Sequence, residues 1–259
     1  MARPRAADFE QHRDAILAMA ARLFADRGYA AGSIAELASA CGVSKALLYH
    51  YYRDKEQLLF DIADRYIDSL KLIVAEVADE RLAPQAHLRR LIERFMAAYE
   101  HAAAYHRVLV QDVKYLSPPH RRRVVAKQGQ VVDAFAAAVA GVAPQLAQAD
   151  LLKPVTMTLF GMINWTFTWL KEDGPLTYAQ MAPLVTDMFL NGVGALAAGA
   201  PSRAVRRGRS QRVGAAPRVN GSQSPAPAWT ARRIAPPPPP VPDHLPARVH
   251  RRKPAKEVA

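Results

Sequence analysis

The chain has 259 residues, half of them hydrophobic, which is ample for a buried core in one large or two smaller domains. Its net charge of +12 is unevenly placed: residues 1–200 carry 22 Lys and Arg against 21 Asp and Glu, whereas residues 201–259 carry 13 against 2. The basic balance therefore belongs to the tail, and a nucleic-acid role for the rest must stand on local motifs. A single cysteine, Cys41, rules out an intramolecular disulfide and fits a reducing compartment. The N-terminal stretch has no apolar core of the signal-peptide kind, and no run approaches the roughly 18 apolar residues of a membrane span. The expectation is a soluble, cytoplasmic protein with no membrane partner.

From Asp8 onward the chain reads as one helix after another. Ile16, Ala20, Leu23 and Phe24 recur at the helical interval, with Arg13, Asp14 and Arg22 off that stripe, and Gly28 supplies a stop. Ser33-Ile34-Ala35-Glu36 has the spacing of a capping box, predicting a short helix from Ile34 to about Ala40. Cys41-Gly42-Val43 predicts a tight turn with Gly42 at positive φ, and Ser44 caps a second short helix reaching Tyr51. Asp54 with Gln57 repeats the box and opens a long helix from Lys55 to about Asp79. Breaks at Pro84, Ser117-Pro118-Pro119, Gly141–Pro144 and Asp173-Gly174-Pro175 leave helices near 85–103, 104–116, 119–141, 150–171 and 177–198, with Pro183 kinking the last or delaying its start. No alternating strand pattern is visible, so the fold class is all-α. Residues 200–259 differ: positions 201–259 hold 12 of the 20 prolines, including Pro236–Pro240, and almost no apolar periodicity. They are read as a disordered basic tail.

Two short helices joined by a glycine turn present the second helix to the major groove while the first crosses the backbone. Ile34, Leu37, Ala38, Val43 and Leu48 form the small core between them, leaving Ser44, Lys45, Ala46, Tyr49, His50 and Tyr51 outward. Lys45 offers a charge to phosphate, Tyr49 a hydroxyl, and Lys55 sits in a first helical turn where the dipole already favours an anion. Lys45, Ala46 and His50 are the candidate base readers, although Tyr49 can also serve packing and His50 a phosphate.

The stretch Ile16 to Leu59, with its LF-x-x-x-G-Y, I-x-x-L-A, G-V-S and L-Y-x-Y-Y-x-x-K-x-x-L elements, resembles the TetR family of bacterial repressors. The resemblance implies a helix-turn-helix head at 8–54 and a divergent helical body at 55–199 that forms a ligand pocket and a homodimer interface. It also implies that Ser33, Ser44, Lys45, Tyr49, His50, Tyr51 and Lys55 contact an inverted-repeat operator in double-stranded DNA, with Tyr52 as a core aromatic. Ser33 stands where threonine is commoner, which keeps the cap, and Cys41 where a small residue is usual.

In the body, Leu159 to Val193 crowds Phe160, Trp165, Phe167 and Trp169 on one helix, beside Met157 and Met162, and so predicts burial on more than one side. Leu184, Met188, Phe189, Val193 and Leu196 are the predicted seam of a four-helix bundle across the dimer axis. This segment is similar to members of the family that respond to acyl-CoA thioesters. Candidate pocket residues are Tyr99, His106, Gln111, Tyr115, Phe135, Asn164 and Trp165, of which Asn164 stands out as a polar group among apolar neighbours. Arg121-Arg122-Arg123 is either a solvated face or a site for a nucleotide-like phosphate. No catalytic constellation, metal-ligand spacing or phosphate loop is present, so neither an enzyme nor a cofactor is expected. The alternatives are an efflux-pump repressor sensing lipophilic drugs and an architectural nucleic-acid binder driven by the basic tail.

Overall fold

The computed structural model describes residues 4–148, 150–171 and 174–199. The helices run α1 (Pro4–Arg27), α2 (Ile34–Ala40), α3 (Lys45–Tyr51), α4 (Lys55–Asp79), α5 (Pro84–His101), α6 (Ala103–Gln111), α7 (Pro118–Val142), α8 (Gln145–Gln148), α9 (Leu152–Asn164) and α10 (Tyr178–Gly199). Short 3-10 turns at Val113–Tyr115 and Trp165–Thr168 follow α6 and α9, and no strand occurs among the described residues. The reading of 200–259 as a disordered tail lies outside them.

The helix ends follow local chemistry. Ser33 Oγ accepts from Glu36 N–H at 3.1 Å while Glu36 Oε2 accepts from Ser33 N–H at 2.9 Å, a complete capping box. Asp54 Oδ1 caps α4 by accepting from Gln57 N–H at 2.8 Å. The expected reciprocal bond lands one residue earlier: Gln57 Oε1 accepts from Arg53 N–H at 3.0 Å rather than from Asp54. Proline opens both α5 and α7, where its missing N–H leaves no bond unmade.

α4 forms the axis of the body, packing against α1, α5, α6 and α7. Its buried residues Leu58, Leu59, Ile62, Tyr66, Ile67 and Leu70 recur along one stripe. In the centre Phe135 meets Phe95 edge to face at 4.7 Å between ring centroids and Phe160 at a tilt at 4.9 Å. No described helix is long and apolar enough to cross a membrane.

Three predicted elements are corrected. The 104–116 helix ends at Gln111 with Asp112 as its cap, and the chain tightens into a 3-10 turn at Val113–Tyr115 before Ser117, which precedes a proline and takes an extended ψ of 154°. The 150–171 helix begins at Leu152, after Asp150 at φ 56°, and ends at Asn164. In the turn that follows, Thr166 and Thr168 spend their hydroxyls on the carbonyls of Ile163 and Trp165 at 2.7 Å, so the aromatic run does not sit on one continuous helix. Pro183 neither delays nor breaks α10, which starts five residues before it.

Candidate nucleic-acid interface and effector cavity

α2 and α3 are locked by the fully buried Leu37 and Leu48 with Ala38, while Ile34 and Val43 pack at the edge of this core. Between them Gly42 adopts φ 66°; its N–H donates to Ser39 O (3.1 Å) and Val43 N–H to Ala38 O (3.0 Å), a Schellman ending that turns the chain into Ser44. Ser44 Oγ then accepts from Leu47 N–H at 3.1 Å and starts α3. Tyr52 is buried at the end of α3, and its hydroxyl donates to Arg13 O at 3.1 Å, fixing α3 to α1.

Ser33, Ser44, Lys45, Ala46, Tyr49 and His50 are all exposed. Tyr51 is half-buried: its ring stacks on Phe9 of α1 at 4.7 Å, with the His50 ring edge-on at 5.6 Å. Tyr51 therefore braces α3, and of the two neighbours His50 is the more open to a base edge. Leu47, 43% exposed, was not among the expected contacts. An exposed leucine between Lys45 and Tyr49 on the second helix of a helix-turn-helix suits a thymine methyl; its signal in the sequence was a leucine of α3 that the core does not need.

Lys55 is placed differently from the expectation of a free phosphate ligand. Its ammonium donates to the carbonyls of Tyr29 and Ala30 and stands 4.3 Å from the Tyr29 ring centroid. Desolvation pulls its pKa down. Lys55 closes the α1–α2 turn onto α4, and any phosphate contact has to be shared with those carbonyls. Cys41 is buried, and burial pushes its thiol up to about 11. Such a thiol is inert, so it is a packed residue rather than a redox group.

The head is tied to the body at the start of α4. Glu56 Oε1 accepts from Ser117 N–H and from His120 Nδ1, both at 2.9 Å. These bonds, with Ser117 the larger contributor, lower its carboxyl to about 2. His120 stacks on Phe60 at 4.1 Å. Further along, Asp64 pairs with Arg123 (3.0 Å) and Lys127 (2.6 Å), and Asp68 with Lys127 (2.6 Å), so α7 is clasped to α4 over three turns. Arg123 thus belongs to this clasp, although like Arg121 and Arg122 it is exposed.

A cavity of about 260 Å³ lies inside the body, walled by Ile67, Leu70, Phe95, Leu109, Val131 and Phe160 among others. Tyr99, His106 and Asn164, three of the expected pocket residues, line it together. Tyr99 donates to Asn164 Oδ1 at 2.7 Å, its ring stacks on His106 at 3.8 Å, and His106 Nε2 lies 3.4 Å from Asn164 O. Burial pulls the His106 pKa down to about 4, which keeps the imidazole neutral. Phe135 is fully buried behind the wall, against Phe95 and Phe160.

The other three candidates are elsewhere. Gln111 is exposed at the end of α6, Trp165 is 61% exposed, and Tyr115 sits against Tyr29 of the head at 5.5 Å. Tyr115 and Trp165 lie beyond the helix ends at Gln111 and Asn164, in the 3-10 turns, whereas Gln111 is still within α6 and exposed there. A wider cleft of about 560 Å³ between α7 and α9 shares Gln128, Val132 and Met157 with the cavity. On α10 the predicted seam divides: Leu184, Met188 and Leu196 are exposed, whereas Phe189 and Val193 face the chain's own core. Among the described residues no three His, Cys, Asp or Glu side chains gather as a metal site.

This is the architecture of a one-chain DNA-binding regulator, with a helix-turn-helix head mounted on a helical body. The chain belongs to the TetR family. Residues 16–62 match the model of the bacterial regulatory proteins of the tetR family, and residues 81–193 match the tetracyclin repressor-like C-terminal domain. The HTH-type transcriptional repressor KstR2 of Mycolicibacterium smegmatis is 26% identical over 187 residues, covering 70% of this chain and 90% of that protein. A TetR-family regulator from Bordetella parapertussis superposes with a TM-score of 0.67 at 33% identity, over 69% of this chain and 94% of that one. AibR, solved in complex with isovaleryl coenzyme A and operator DNA, superposes with a TM-score of 0.60 at 30% identity, over 68% of this chain and 97% of that one.

Proposed function

We propose that this protein is a cytoplasmic repressor that grips an inverted-repeat operator as a homodimer and lets it go when a hydrophobic effector, an acyl-CoA thioester foremost, occupies the body. The observation that carries this reading is the double duty of α7. It supplies Gln128, Val131 and Val132 to the cavity, and through Ser117, His120, Arg123 and Lys127 it holds the α4 helix that follows the DNA-reading head. A ligand that wedges α7 outward moves α4 with it. To act, that ligand must bind the released conformation more tightly than the DNA-bound one, by a coupling of about 1–3 kcal/mol.

On DNA, Ser33, Ser44, Lys45 and Tyr49 take phosphates, and Ala46, Leu47 and His50 meet base edges, with Tyr51 bracing α3 and Lys55 helping at the turn. The outward Leu184, Met188 and Leu196 of α10 are exposed apolar side chains that a second copy covers. Acyl thioesters are favoured over lipophilic cations because none of the cavity-lining residues is acidic, so a buried cation finds no counter-charge. The apolar chain fits the cavity, and the neighbouring cleft offers room for the bulkier polar part. AibR's isovaleryl coenzyme A supports the same class.

The test is an operator fragment obtained by unbiased selection, followed by anisotropy titration with acyl-CoA thioesters of increasing length. Release together with a raised melting temperature is expected for at least one length. No response to any length, alongside release by a lipophilic cation, turns the reading to a drug-sensing repressor. Loss of all operator preference on deleting residues 201–259 turns it to tail-driven nucleic-acid binding.

A further inference from the structure

The polar end of the cavity is chemically incomplete. His106 is 2% exposed, and its Nε2 faces the backbone carbonyl of Asn164, which only accepts, so Nε2 carries the ring proton. The neutral ring then presents Nδ1 as a bare acceptor, and Nδ1 has no partner. Beside it, Tyr66 is 4% exposed, with its ring edge-on to His106 at 6.0 Å, and its hydroxyl also has no partner. The Tyr99 hydroxyl and Asn164 Oδ1, by contrast, are already bonded to each other. Two unpartnered polar groups, one that must accept and one that can donate, are thus carried on adjoining rings, His106 in the cavity wall and Tyr66 packed against it on α4 next to Ile67 of that wall, and leaving them unmatched is costly.

We infer that the effector carries a neutral hydroxyl group on its apolar part, which donates to His106 Nδ1 and accepts from Tyr66. This rests on the reading that the cavity is the effector site. A carboxylate is the wrong group, because its charge would face the lone pair of a ring that burial keeps from protonating. An ammonium finds no lining carboxylate to balance it. A plain alkyl chain buries both orphaned atoms unpaired. The ligand class is therefore a hydroxylated apolar acyl group or its equivalent, not a saturated one.

The experiment is a calorimetric titration of the full chain with hexanoyl-CoA and a set of hexanoyl-CoA derivatives, each carrying one hydroxyl at a different carbon. One hydroxylated member is expected to bind about three- to tenfold more tightly than hexanoyl-CoA, the yield of one or two net hydrogen bonds. That gain disappears in Tyr66→Phe and in His106→Leu. Tyr66→Phe also melts no lower than the parent, since it removes only an unspent hydroxyl, which a structural tyrosine would not allow. Hexanoyl-CoA binding as well as every hydroxylated member, or a gain that persists in both variants, overturns the inference while leaving the effector site in place. Binding by none of them overturns the site itself, and the inference with it.

Discussion

Glu56→Ala probes the junction between head and body with a magnitude that follows from its surroundings. The carboxylate accepts two hydrogen bonds of 2.9 Å, from Ser117 and His120. Shielded bonds to an ionised group contribute about 1.5–3 kcal/mol each. Here the Glu56 and His120 side chains are each 33% exposed, so solvent screening reduces the two together to about 1–2 kcal/mol. In a folded body of this size that is a fall of about 2–8 °C in melting temperature. The sign with pH is fixed by the direction of the shift. A carboxyl lowered from 4.5 to about 2 in the folded state lends its stability fully above 4.5 and loses it as the pH falls toward 2. Thermal melts of the parent and Glu56→Ala, followed by circular dichroism, should therefore differ at neutral pH and converge in acid. Equal melting temperatures at neutral pH, or a gap that stays constant down to the acid limit, would refute the reasoning.

Ser33→Ala removes one cap of α2 and should cost about 1 kcal/mol, with Ser33→Asp restoring it; an unchanged melting curve would show that the box observed at 3.1 Å and 2.9 Å contributes nothing. Lys45→Ala is expected to weaken binding on every sequence alike and to reduce the salt slope by about 0.9, whereas His50→Ala reorders the preference among operators. The same loss on all sequences for both would remove His50 from the base readers. Cys41, with a thiol raised to about 11 by burial, should react with an aromatic disulfide reagent only after unfolding. Prompt labelling of the native protein would contradict that.

The head was legible in the sequence because each of its signals is local. A serine three residues before a glutamate, a glycine after a short helix and a serine before the next are decided by neighbours in the chain. The body was legible only as a set of helices. Tyr99, Asn164 and His106 come from three different elements, and their meeting depends on where α6 and α9 stop. Those stops were misread: the 3-10 turn at Val113–Tyr115, and the appetite of Thr166 and Thr168 for nearby carbonyls, interrupt the helical periodicity that carried the longer predictions. Tyr115 and Trp165 were misplaced for that reason, whereas Gln111 lies within α6 and is exposed there. Lys55 is a different case. Its position in a first helical turn was right, but an anion-friendly turn also lies within reach of the Tyr29 carbonyl, and the sequence gives no measure of that competition.

The length of α4 has a consequence for scale. Its 25 residues extend about 37 Å at 1.5 Å per residue, so pivoting the rod by about 5° swings its tip by about 3 Å. Successive base pairs are about 3.4 Å apart. In the proposed dimer, a ligand need displace the far end by no more than a methyl group's width for the reading heads to fall out of step with the duplex by nearly a whole rung.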